Sequence, residues 1–183
     1  MTAKNHLSAL YTSNSGEWRT PKELFNLLQS VFDFSIDAAA TPENALCKIF
    51  YTKETDGLIP DWPIGNVWIN PPYGRSIIQW IRKAEQEFMK HQGLFDIVLL
   101  LPARTDTEWF LKLVQTCHYI CFINGRINFL NAKGESQKNP TFPSLLAIYS
   151  QDNGGLTQAQ YEVLRSLGLV VSTEPLDELG VVK

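Results

Sequence analysis

Cysteine is scarce in this chain. Cys47, Cys117 and Cys121 are the only three in 183 residues, an odd number without the paired spacing of a zinc site. That argues against a disulfide scaffold and a structural metal, and the thiols read as reduced residues packed inside a cytoplasmic protein. Long apolar runs are missing too. No stretch approaches the length of a membrane span. The polar start Met1-Thr2-Ala3-Lys4-Asn5-His6 is not followed by a signal-type apolar segment, so no membrane partner is expected. Positive charge is not in excess. A net charge of −3 argues against a large nucleic-acid interface while leaving room for a local basic edge. His6, His91 and His118 show no partner spacing, and no metal site is expected from them. There is no repeat, no low-complexity segment and no domain boundary. Residues 1–183 read as a single domain, with 1–16 a loosely ordered lead-in.

What is present describes a globular chain: 44% hydrophobic and 19% charged residues, enough for one substantial core. Thr20 and Glu23 have the spacing of a capping box, Pro21 suits a first helical position, and Leu24, Leu27, Leu28 and Val31 continue at helical spacing. A helix is expected over 21–31. The first strand should lie between Phe32 and Ala40 with Asp37 near its end, and a second short strand between Lys48 and Thr52. Thr41-Pro42-Glu43-Asn44 reads as a turn or helix start. Ser76 to Lys90 is helical, with Ile77, Ile81, Ala84 and Phe88 on one face and Arg82, Lys83, Glu85 and Glu87 mostly on another. Ile97 to Leu101 is an apolar run of the kind covered on both faces. Thr105 with Glu108 forms a second capping box, ahead of a stripe of Trp109, Leu113 and Val114. Tyr119–Ile123 and Ser144–Tyr149 are further strands, Thr157 with Gln160 caps a last helix stopped by Gly168, and Leu169 to Val171 suits a small edge strand. Alternation of strand and helix from residue 21 to about 123 implies a mostly parallel α/β sheet with helices on both faces.

One short stretch stands out chemically. Val67-Trp68-Ile69 reads as a buried strand, and Asn70-Pro71-Pro72-Tyr73 must end it, because two prolines cannot donate to a ladder. In open α/β sheets ligands bind at the carboxyl ends of strands. Asn70 supplies an amide, Pro71 and Pro72 supply carbonyls, and Tyr73 a flat ring. Together they can hold a planar amine, with oxygens accepting its N–H bonds and the ring stacked on its conjugated system. The structural alternative is a proline turn with Tyr73 packed in the core.

The order of these features resembles S-adenosylmethionine-dependent methyltransferases that act on amino groups, and more narrowly the small phage-type DNA N6-adenine methyltransferases, the phage Dam family. Trp18-Arg19-Thr20-Pro21, Asp37-Ala38-Ala39 with Asn44-Ala45, Asp56-Gly57-Leu58, Asn70-Pro71-Pro72-Tyr73-Gly74 and Leu100 to Asp106 with Trp109 carry the likeness. Gly125-Arg126 with Phe129 and Pro143-Ser144 extend it over roughly residues 16–149. The wider methyltransferase pattern has a Gly-x-Gly loop after the first strand. Here Asp37-Ala38-Ala39-Ala40-Thr41-Pro42 occupies that place.

The resemblance implies a Rossmann-like fold, S-adenosylmethionine as cofactor, no metal, and double-stranded DNA as partner, in a bacterial or phage-infected cell. It assigns the target amine to Asn70, Pro71, Pro72 and Tyr73, with Tyr73 stacking on a flipped-out adenine. It places Trp18, Thr20, Pro21, Asp37, Ala38, Asp56 and Leu58 around the cofactor. Each has a structural alternative: a helix cap for Thr20 and Pro21, a core aromatic for Trp18, a backbone cap for Asp37, a turn aspartate for Asp56. Arg104, Arg126 and Asn128 are the candidate DNA contacts, with Asn131 a further polar candidate in the long connection. Two other readings stay open: methylation of a protein glutamine or an RNA guanine, and a catalytically silent nucleic-acid-binding protein on the same fold.

Overall fold

The structure, a computed structural model, describes residues 18–136, 141–151 and 155–173; the lead-in expected over 1–16 lies outside them. Its elements in chain order are α1 (Lys22–Phe32), β1 (Ile36–Asp37), β2 (Ile49–Phe50), β3 (Val67–Ile69), α2 (Ile77–Lys90), β4 (Ile97–Pro102), α3 (Glu108–Thr116), β5 (Tyr119–Ile123), β6 (Ser144–Tyr149), α4 (Gln158–Leu167) and β7 (Gly168–Ser172). The strands form one sheet in the order β2-β1-β3-β4-β6-β5-β7.

β2, β1, β3 and β4 pair in parallel. β6 lies antiparallel between β4 and β5, and β7 is antiparallel to β5. Five strands therefore share one direction, and β6 and β7 run back. The reversal has a local cause. β5 and β6 are joined by residues 124–143, whose described part contains no helix, and a parallel return needs a crossover element. One consequence places the site. Asp37, Ile69, Pro102 and Ile123 all end strands at the same edge, and β6 begins there, with Ser144 paired to Pro102.

Side-chain alternation builds two cores, one on each face. Val67, Ile69, Ile97, Leu99 and Leu101 pack with Ile77, Ile81 and Phe88 of α2 and Leu113 of α3. Trp68, Val98, Leu100, Leu146 and Ile148 pack with Phe25, Leu28 and Phe32 of α1 and Leu164 of α4. Every residue of β4 and β6 is buried, as continuous apolar runs between two helical layers require.

Two expectations about caps need correction. Thr20 does not cap α1, whose first turn has no side-chain cap. Its hydroxyl takes a tertiary partner described below. α3 begins two residues later than the Thr105–Glu108 spacing suggests. The Thr107 hydroxyl accepts from the Phe110 N–H, because two threonines compete for one start. The capping box of α4, Thr157 with Gln160, is present. A third correction concerns α2. Lys83 and Glu87, set apart from the apolar stripe by sequence, are buried with it, since the β2–β3 loop folds over them. Lys83 Nζ lies 2.6 Å from Glu87 Oε1 and donates to the Pro60 carbonyl at 2.7 Å, and Glu87 Oε2 accepts from the Trp62 N–H at 3.2 Å.

Candidate functional site

The site grows out of the end of β3. Pro71 and Pro72 stop the ladder, Pro71 is buried, and Gly74 follows at φ +151° with open space where a Cβ would stand. Asn70 sits at the turn with its amide held on one side only. Its Nδ2 donates to the Trp18 carbonyl and, at 3.1 Å, to the Thr20 hydroxyl. A backbone carbonyl can only accept, so the nitrogen end of the amide must face Trp18 and the oxygen end must face the other way. Oδ1 is buried and has no hydrogen-bond partner among the described residues. An acceptor without a donor in a buried place is costly, and it marks a point where a ligand N–H would fit. Ser144 Oγ, two strands along the same edge, is also buried and has no hydrogen-bond partner among the described residues.

Four aromatic rings wall this turn. Tyr73 meets Phe129 and Phe142 edge to face, at 6.1 and 5.6 Å between centroids. Trp18 meets the same two rings at 5.6 and 5.0 Å. Tyr73 is half-buried, its hydroxyl points at the Leu100 carbonyl 3.5 Å away, and burial pushes its pKa upward. Phe142 is a wall residue that sequence reading passed over; its one signal was an aromatic next to Pro143 at the head of β6. The segment carrying Trp18 and Thr20 is itself pinned. Arg19 and Leu130 exchange both backbone hydrogen bonds, at 3.1 and 2.9 Å, which ties it to the β5–β6 connection. Spacing in the sequence gives no hint of this pairing.

The end of β1 and the β2–β3 loop meet beside this wall. Asp37 is buried, and its carboxylate accepts from the N–H groups of Ala39 at 3.4 Å and Leu46 at 3.1 Å. Desolvation lifts its pKa to about 6, against the lowering effect of those two bonds. These two bonds make Asp37 a cap on the backbone that follows β1. Asp56 has a left-handed backbone, φ +43°, and its Oδ1 accepts from the Leu58 N–H at 3.1 Å. Gly57 presses on Ala38: a Cβ there would collide with the Ala38 carbonyl oxygen. The Gly57 carbonyl accepts from Trp62 Nε1 at 2.9 Å, and Trp62 rests on the buried Lys83–Glu87 pair. Ala38, Asp56 and Leu58 are thus gathered beside β1, and Trp18, Thr20 and Pro21 beside Asn70.

The DNA-contact candidates stand further out along the edge. Arg104 follows β4, and Arg126 and Asn128 follow β5; all three are exposed. Among the described residues Arg126 donates to the neighbouring Gly125 carbonyl, at 3.2 Å. Asn131 differs from expectation. Its side chain accepts from the N–H groups of Lys133 and Glu135 and donates to the Glu135 carboxylate, so it is committed to its own turn. No described helix is long and apolar enough to cross a membrane.

A mixed sheet with helices on both faces, and an Asn-Pro-Pro-Tyr turn at a strand's carboxyl end, define a Rossmann-like methyltransferase fold. A family model described as DNA N-6-adenine-methyltransferase (Dam) matches residues 8–168. The chain belongs to that family. Among its relatives, the DNA N-6-adenine-methyltransferase of Escherichia phage T1 is 38% identical over 108 residues, covering 58% of this chain and 44% of that protein. The chain thus matches less than half the length of that relative. The DNA N-6-adenine-methyltransferase of Haemophilus phage HP1 (strain HP1c1) is 29% identical over 175 residues, covering 93% of this chain and 95% of that protein.

Proposed function

We propose that this chain methylates the N6 amine of a flipped-out adenine in double-stranded DNA, with S-adenosylmethionine as the methyl source. The observation that carries the reading is the buried Oδ1 of Asn70, without a partner among the described residues, with its amide orientation fixed from behind. The exocyclic nitrogen of adenine is a weak nucleophile because its lone pair is delocalised into the ring. Asn70 Oδ1 and the Pro71 carbonyl, to which no described residue donates, would accept its two N–H bonds. That geometry favours a tetrahedral nitrogen and localises the lone pair. As positive charge develops on nitrogen both hydrogen bonds strengthen, so they stabilise the transition state more than the ground state. A proton on the alkylated nitrogen is held by the same acceptors until water removes it.

The cofactor's contribution is a methyl group on a sulfonium, a good leaving group, so alignment supplies much of the remainder. The residues around the end of β1 fit such a ligand: Asp56 keeps a second carboxylate oxygen available for an adenine amino group, and Ala38 is small. Ala38, Asp56 and Leu58 would border the adenosine, Trp18 and Pro21 the methionine end, and Asp37 would stand at the end of β1 where it can hold the loop and meet the cofactor. An adenine must leave the helical stack to reach Asn70. Pro72 stiffens the turn that receives it, Tyr73 would stack its ring on it, and Arg104, Arg126 and Asn128 would meet the surrounding DNA.

Incubation with methyl-labelled S-adenosylmethionine and, separately, DNA, RNA and protein tests this reading. N6-methyladenine in DNA is expected from the wild type and not from Asn70→Ala. Label in protein or RNA alone, or cofactor binding without transfer to any of the three, would overturn it.

A further inference from the structure

We propose that Thr20 is a positioning residue for Asn70, an inference that rests on the methyl-transfer reading of this site. An asparagine amide can rotate by half a turn at little steric cost, since its oxygen and nitrogen are nearly the same size. In one state Asn70 offers an acceptor to the target amine; in the other it offers two donors and would repel it. The orientation is set behind the residue by the Trp18 carbonyl, which can only accept, and the Thr20 hydroxyl takes the second N–H at 3.1 Å and holds the amide in that plane. Both acceptors belong to one short segment, and that segment is held from outside by the paired Arg19–Leu130 backbone bonds.

Thr20 is buried, so water does not substitute for the lost partner when the hydroxyl is removed. The hydroxyl is the replaceable half of the clamp, because the carbonyl is backbone. Sequence spacing suggests a helix cap for this threonine, and the family resemblance implies a place beside the cofactor. The cap is absent, and the hydroxyl instead faces the side chain that would accept the adenine N–H.

Thr20→Val keeps shape and removes the acceptor; Thr20→Ser keeps the acceptor. In single-turnover assays Thr20→Val should transfer methyl about tenfold more slowly, the effect of one hydrogen bond lost from a preorganised group. Its dissociation constant for S-adenosylhomocysteine should match wild type, and Thr20→Ser should recover most of the rate. A rate unchanged in Thr20→Val, or a rate loss matched by an equal loss of S-adenosylhomocysteine affinity, would overturn the proposal. A second measurement needs no variant and no activity. In wild-type protein the side-chain NH2 of Asn70 should exchange with solvent about tenfold or more slowly than that of exposed Asn128, as a buried, doubly bonded donor does. Equal exchange rates would show that the clamp does not exist, whatever substrate the enzyme proves to use. Absence of methylated DNA with the wild type would instead overturn the functional reading and leave the clamp standing on its exchange rates.

Discussion

Gly57 and Ala38 touch backbone to backbone: a Cβ on Gly57 would run into the carbonyl oxygen of Ala38, with Tyr51 Cβ at 3.1 Å and the Trp80 ring at 3.2 Å. Two segments 19 residues apart in the chain are joined at this point. One leaves β1 with the small residues Ala38 and Ala39; the other carries Asp56 and Leu58. The pocket proposed for the cofactor is the space these two segments border.

Gly57→Ala should therefore destabilise the protein and loosen cofactor binding together. Forcing a methyl into a packed backbone contact costs about 1–3 kcal/mol. Denaturant unfolding should show that loss, and calorimetric titration with S-adenosylhomocysteine should show weaker binding. Full affinity in a stable variant would separate the 56–58 loop from the cofactor.

Asn70→Asp should not behave as a conservative change. An ionised carboxylate would face the Trp18 carbonyl, acceptor against acceptor, where the amide now donates. Loss of a preorganised group at the reacting centre costs about a hundredfold or more in rate, and Asn70→Asp at pH 8 should approach Asn70→Ala. Lowering the pH should restore part of the aspartate variant's rate relative to wild type. The protonated carboxyl can donate to Trp18 and turn its other oxygen to the substrate. A variant as fast as wild type at pH 8 would remove the carbonyl's role in orienting residue 70.

The buried Asp37 carboxyl gives a pH signature in stability. Its pKa is raised from 3.8 to about 6, so the folded protein holds the proton more tightly than the unfolded chain does. That contribution is fully present below about 3.8 and is lost as pH rises through about 6. Asp37→Asn does not titrate. The stability difference, wild type minus variant, should fall between pH 4 and 7 by up to about 3 kcal/mol and level off above. Parallel denaturant titrations across that range would measure it, and a flat difference would show an ordinary carboxyl.

Lys83→Met should be severe. It leaves Glu87, 3% exposed, without its cation, and breaking a buried pair on one side costs about 3–5 kcal/mol. The double change Lys83→Met with Glu87→Leu should recover part of that loss, measured in the same unfolding experiment. A double variant worse than the single one would place Glu87's value in its bond to the Trp62 N–H rather than in the ion pair.

Much of the fold was legible because periodicity reports burial. β3 and β5 were expected where they lie, β4 and β6 too, since apolar runs with turn residues at their ends have few other uses. The misses have two causes. Thr20 and Glu23 have the spacing of a cap, yet Thr20 turns to a residue 50 positions away. Lys83 and Glu87 fall on the polar side of a helical wheel, yet a loop some 25 residues earlier covers them and supplies Pro60 and Trp62 as partners. Asn131 reads as an available amide, yet its own turn consumes it. For Thr20, Lys83 and Glu87 the partner is set by tertiary approach, which no local pattern encodes; for Asn131 it is set by the hydrogen-bonded turn of residues 131–135, which the polar composition of the loop does not reveal. Asn-Pro-Pro-Tyr was legible for the opposite reason: its prolines dictate where a strand stops whatever surrounds it.

The two hydrogen bonds between Arg19 and Leu130 bear on how such an enzyme could acquire a new target. Leu130 lies in the same connection as Arg126 and Asn128, the residues proposed to meet DNA, and Arg19 lies between the two residues that hold the Asn70 amide. Grafting that connection from a relative with another sequence preference would import a foreign partner for Arg19 along with the new contacts. Retargeting by loop exchange should thus lower turnover even on the newly preferred sequence, unless the graft stops short of residue 130 or restores its pairing. Libraries randomised at Arg126 and Asn128, with Leu130 held fixed, would sample preference without disturbing the machinery that executes the reaction.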